Sequence, residues 1–197
     1  MDIANVLPDQ VWSIILTGEN DNRFSQLMRK WLDPEFIDEF FEQNFDYIKN
    51  NPYYAGHTVQ EVKESAHKEA KRFLTDFISY YKNGRKGITP NLVEKFKCLY
   101  RVPIDPDSEH RRELYGYSET DISSVFRLYG IRIDSKTKGD LPGYVVTGGG
   151  IKVKVRNKKD TALNKEMRLI ESAQDWLKKE KLYTKEDLIN RTNEHTD

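Results

Sequence analysis

Cysteine is nearly absent from this 197-residue chain. A lone Cys98 excludes an internal disulfide and suits a reducing compartment. Within LVEKFKCLY it reads as a small buried hydrophobe rather than a catalytic thiol, because no His stands at an informative spacing. Histidine is scarce too. His57, His67, His110 and His195 share no zinc-like spacing and one Cys cannot complete a ligand set, so neither a metal nor another cofactor is expected. Long hydrophobic runs are missing: nothing approaches the roughly 18 apolar residues of a spanning helix. The opening MDIANVLPDQVWSIILTGEN has no basic leader. The chain therefore reads as a soluble cytoplasmic protein with no membrane partner.

Net charge is missing as well, since 32 Lys and Arg balance 32 Asp and Glu. That zero conceals a sorting. Met1 to Ser65 holds twelve acidic and five basic residues, whereas Ser124 to Lys165 holds three acidic and ten basic. Asymmetry of this kind points to a polyanion partner at one part and a different partner, or self-masking, at the other. Nine Phe, eleven Tyr and three Trp supply a core, which excludes disorder throughout.

Helical periodicity dominates the first half. Phe24, Leu27, Met28 and Trp31 recur at i, i+3, i+4, i+7. Asp33-Pro34 then offers an N-cap followed by Pro at the first helical position, opening a helix with Phe36, Ile37, Phe40, Phe41, Phe45 and Ile48 inside and Glu35, Asp38, Glu39 and Glu42 outside. Thr58 and Glu61 form a capping box for a longer helix that ends near Gly84 and Gly87. Thr89-Pro90 reads as the start of a shorter helix carrying Leu92, Val93, Phe96 and Leu99.

At Ile122 the period changes. SSVFRLYGIRID and YVVTGGGIKVKVRN are extended runs joined by the polar turn SKTKGDLPG, an antiparallel hairpin in which Gly130 marks a bulge or close backbone approach and TGGG a bulge or hairpin kink. Ile151, Val153 and Val155 alternate with Lys152, Lys154 and Arg156, which puts three cations on one sheet face. Lys158 and Lys159 extend the patch, and Arg127 and Arg132 lie on the neighbouring strand. Such a row would neutralise phosphates, with tyrosines such as Tyr115, Tyr117 and Tyr129 available to stack on bases; equally, it serves as a solvated edge strand whose lysines discourage aggregation. HRRELYGYSE gathers His110, Arg111, Arg112, Tyr115 and Tyr117, which either fold over that face or pair with Glu109 and Glu113. A further helix carries Leu163, Met167, Ile170, Ala173, Gln174 and Leu177 inward, and Thr184 with Asp187 caps a last short one.

The pair FRLYGIRI and YVVTGGGIK, flanked by an upstream helix and NKEMRLIESAQDWLKKEKL, resembles the RelE/HigB-like toxin proteins of bacterial mobile elements over roughly Leu92 to Leu182. The resemblance implies a metal-independent endoribonuclease that acts on RNA, free or at the ribosome, and is neutralised by a small antitoxin. It places Arg127, Arg132, Lys152, Lys154 and Arg156 at cationic sheet positions and Tyr129 nearby, with Tyr117 or His110 moving protons. The rival expectation is a non-enzymatic, phage- or defence-related inhibitor that docks on a protein partner through charged surfaces.

The expected architecture is α+β: a helical N-terminal part, then a small antiparallel sheet with a β-hairpin core, then a C-terminal helix. Its divisions fall at 1–87 (acidic, helical), 88–183 (basic, RelE-like) and 184–197 (short helix and frayed tail).

Overall fold

The computed structural model describes residues 1–98, 111–115, 124–152 and 161–194, with backbone alone at 53, 111–115 and 161–164. The fold is α+β, and its first elements are strands. β1 (Asp2–Leu7) and β2 (Val11–Ile15) pair antiparallel through a turn in which Asp9 takes φ 59°. The N-terminal part is thus not helical from its start. Seven helices follow among the described residues: α1 (Arg23–Leu32), α2 (Pro34–Gln43), α3 (Phe45–Lys49), α4 (Val59–Arg85), α5 (Leu92–Lys95), α6 (Thr161–Lys179) and α7 (Lys185–Asn193). The remaining strands are β3 (Lys97–Cys98), β4 (Arg111–Tyr115), β5 (Phe126–Ile133) and β6 (Gly143–Ile151).

The strands form one sheet in the order β1-β2-β6-β5-β4-β3. It is larger than the expected hairpin sheet and mixed, because β2 runs parallel to β6 with Val11 opposite Tyr144 and Ser13 opposite Val146. Helices cover both faces. On one, α1 to α5 pack Trp31, Phe41, Phe73 and Phe77 over Phe126, Leu128 and Val146. On the other, α6 and α7 pack Ile170, Leu177 and Leu188 over Trp12, Tyr129, Ile131 and Val145. Strand periodicity explains the division: along β6, Tyr144 and Val146 face the first core and Val145 the second.

Local signals set the helix starts. Asp33 accepts the Glu35 and Phe36 N–H groups with Pro34 behind it, and the Thr58/Glu61 and Thr184/Asp187 boxes are both closed. Gly87, at φ 68°, follows the end of α4, while Gly84 stays buried inside the helix. Two boundaries differ from expectation. Asn44 interrupts α2, and the chain restarts as α3 with Phe45 turned out to 46 % exposure. α5 is capped by Asn91, which accepts the Val93 N–H and closes a box with Glu94, so Thr89-Pro90 lies outside it and Phe96 terminates it. Cys98 is also a correction: on the short strand β3 it is exposed rather than buried.

The TGGG stretch is a bulge. Tyr129 pairs with Gly148 and Gly130 with Val146, which leaves Thr147 as the extra residue of β6.

Candidate functional site

Downstream of that bulge the sheet ends in a cluster of ionisable groups. β5 begins at Phe126 beside the last residue of β6, Ile151, and Arg127 stands between Gly150 of β6 and Tyr115 of β4. Arg127 is buried, with Nη1 donating to the carbonyls of Ser124 (2.8 Å) and Phe126 (2.7 Å). Glu69 of α4 reaches the same corner. It is 4 % exposed, its Oε1 accepts the Ser124 hydroxyl, and its Oε2 accepts the Val125 N–H at 3.4 Å. Burial pushes the Glu69 carboxyl up to about 7, against the opposing pull of the Ser124 and Val125 hydrogen bonds and of Arg127. Tyr54, in a 3-10 turn (Pro52–Tyr54), closes the corner, donating from its hydroxyl to the Lys152 carbonyl at 3.3 Å. Burial raises that phenol to about 12.

A second carboxyl sits against the glycines. Glu166 of α6 accepts the Gly149 N–H at 3.0 Å and Arg23 Nη2 at 2.8 Å. Burial moves its pKa upward while Arg23, Gly149 and Lys30 oppose the shift. Glycine is required at 149, where a side chain would overlap the Arg127 carbonyl, while one at Gly148 would displace the Glu166 carboxylate. Between α1, α2 and this strand end lies a pocket of about 200 Å³, floored by Leu27, Trp31, Phe36 and Phe40 and edged by Arg23 and Glu166.

The residues expected to form one cationic face are distributed. Arg127 and Lys152 meet at the corner just described. Arg132, five positions along β5 and therefore roughly 16 Å away, pairs with Asp134 at 2.9 Å near a separate cavity of about 220 Å³ lined by Gln174, Leu177 and Tyr183. Tyr129 is fully buried in the core beneath α6, so its ring is not open to a base. Arg111 and Arg112 lie on β4, in register with Ile131 and Gly130. His110, Tyr117, Lys154, Arg156, Lys158 and Lys159 lie outside the described residues.

Glu69, Glu166, Arg23 and Tyr54 were not singled out from the sequence. A signal existed for the two carboxyls. Glu69 falls in helical register with Val62, Ala66 and Phe73, and Glu166 with Ile170, Ala173 and Leu177, so each puts a charge in a core stripe.

Elsewhere the charges neutralise one another. Lys63 reaches Asp38 and Glu42 of α2, and His67 reaches Asp38 at 3.0 Å, so α4 meets the acidic face of α2. At the other end of the sheet Lys185 pairs with Asp140 and Arg85 with Asp9. No group of three His, Cys, Asp or Glu residues among those described could hold a metal ion, and no described helix is long and apolar enough to cross a membrane. No protein-family model matches the chain, and neither a curated protein nor a solved structure does.

Proposed function

We propose that this chain is an RNA-binding protein of the RelE-like toxin kind, contacting RNA at the sheet end where β5 begins and β6 ends. One observation carries the reading: the carbonyl of Lys152 is held by Tyr54 at the corner occupied by Arg127 and Glu69, and Lys154, Arg156, Lys158 and Lys159 follow it directly in the sequence. Five cations in eight residues thus begin at Lys152, beside the ionisable cluster. They would neutralise phosphates and release counterions. Cleavage, as the second part of the proposal, is attack of the RNA 2′-hydroxyl on the adjacent phosphorus. The P–O5′ bond breaks, giving a 2′,3′-cyclic phosphate and a free 5′-hydroxyl. Cations stabilise charge on the non-bridging oxygens. The 2′-hydroxyl proton leaves to a basic side chain and a second proton reaches the departing O5′, the roles that the resemblance gives to Tyr117 or His110.

The test is the triple variant Lys152→Ala/Lys154→Ala/Arg156→Ala. Fluorescence anisotropy with labelled single-stranded RNA should show binding lost, and induction in a bacterial host should show growth restored. Binding and toxicity that both survive would overturn the proposal.

A protein-docking reading is favoured by a different observation: Leu32, Phe45 and Tyr47 expose 43, 46 and 52 % of their surfaces around α2 and α3. If that face self-associates, light scattering after size exclusion should report a dimer that Phe45→Ser converts to a monomer.

A further inference from the structure

The pocket beside the glycine bulge has a recognition chemistry of its own. Its volume of about 200 Å³ is below the roughly 300–1,000 Å³ of sites for drug-sized ligands, so it admits one ring system rather than a whole nucleotide. Aromatic side chains form the floor: Phe36 and Phe40 stand 6.4 Å apart with Trp31 beside them, and the first two are only partly buried against the core. Base-on-aromatic stacking fits such a floor. Lys30, exposed, stands at the rim.

The polar edge is an Arg–Glu pair with unused capacity. Arg23 gives Nη1 to Gln26 Oε1 at 2.9 Å and Nη2 to Glu166 Oε1 at 2.8 Å, while its Nε–H is buried and has no acceptor among the described residues. A buried donor left in that state costs free energy until an acceptor arrives. Glu166 takes one N–H from Gly149 and one from Arg23, and a carboxylate has about four acceptor positions. The edge therefore offers one donor next to two open acceptor positions. A ligand that completes it carries acceptor, donor, donor in sequence. Guanine does so with O6, N1–H and N2–H. Adenine lacks the acceptor at that place, cytosine has one donor followed by two acceptors, and uracil has a single donor between two acceptors.

We propose that this pocket binds a guanine base, O6 accepting from Arg23 and the N1–H and N2–H groups donating to Glu166, with the ring on Phe36 and Phe40. The source of the base, an RNA chain rather than a free guanine nucleotide, rests on the reading given under Proposed function.

The experiment uses the full chain. Short labelled oligouridylates with one central 2′-deoxyguanosine, deoxyadenosine or deoxycytidine, the missing 2′-hydroxyl preventing cleavage at that position, are compared by anisotropy, and guanosine monophosphate is titrated by calorimetry. The guanine oligomer should bind about tenfold tighter than the others. Arg23→Lys, which keeps the charge beside Glu166 and lacks an Nε–H at that place, should erase the preference while all oligomers still bind; far-UV circular dichroism and urea titration check that it is folded. A purely structural Arg23 would shift every oligomer alike, and that result overturns the pocket. Equal binding of all oligomers by the parent chain overturns the guanine pocket and leaves the RNA reading standing. Guanosine monophosphate bound in an Arg23-dependent way without any oligomer bound supports the pocket and overturns the RNA reading. No binding of either overturns both.

Discussion

The Ser124 hydroxyl donates to Glu69 Oε1, joining the middle of α4 to the residue that leads into β5, 55 positions along the chain. Glu69 is thereby a buried carboxyl whose two oxygens are engaged by the strand entrance, and its proton is linked to folding.

Stability should fall with rising pH because of Glu69. The folded carboxyl keeps its proton up to about 7, whereas the ordinary glutamate value of 4.5 describes the unfolded chain. Between those values the folded state holds the extra proton, so stability declines across that window and levels off above it. The gap corresponds to about 3 kcal/mol. Tyr54, at about 12, titrates outside the window. Urea unfolding at pH 5 and pH 8 should show the decline in the parent and a flatter profile in Glu69→Gln. An unchanged slope in the variant would assign the pH dependence to other groups.

A side chain at Gly148 should require Glu166 to give way. A methyl group there overlaps the Glu166 carboxylate, so Gly148→Ala should cost about 1–3 kcal/mol in the parent. In a Glu166→Ala background the same change should be close to neutral. The coupling energy from a double-mutant cycle in urea decides the matter, and additive effects would refute the contact.

RNA affinity should fall linearly on a logarithmic salt scale. Replacing Lys152, Lys154 and Arg156 removes three cations, which should lower the slope by about 2 for single-stranded RNA, given roughly 0.7 per phosphate neutralised. Binding measured across a potassium chloride series checks this, and a parallel line displaced without a change of slope would mean that these residues do not touch phosphates.

Cys98 should react in the native state. It is exposed on β3, so a thiol reagent should label one equivalent per chain without denaturant. Labelling that requires urea would return Cys98 to the interior.

Helices were legible because their signals are local. The caps at Asp33, Thr58 and Thr184 and the stripe through Phe24, Leu27, Met28 and Trp31 are settled within one or two turns. The β5–β6 hairpin and its bulge were legible for the same reason, since the strands are adjacent in sequence. β1 and β2 were not read although they too form a local hairpin about Pro8-Asp9; what lies beyond local reach is the pairing of β2 with the distant β6. The site was half legible. The charge run leads to the sheet end where Arg127 and Lys152 lie. The face to which Tyr129 belongs depends on α6 docking over it, and the roles of Glu69 and Glu166 depend on what faces them across the core.

The parallel pairing of β2 with β6 also sets a timetable. Ser13 reaches Val146 across 133 positions, so during synthesis the hairpin bearing Trp12 waits for about three quarters of the 197-residue chain before its sheet partner emerges. Loop-closure entropy must be met before that pairing returns any free energy, which favours slow folding and an interval in which the apolar hairpin is open to chaperones or to aggregation. A truncated product ending before residue 143 would lack β6, which both completes the core of the first-half helices and joins it to the N-terminal hairpin.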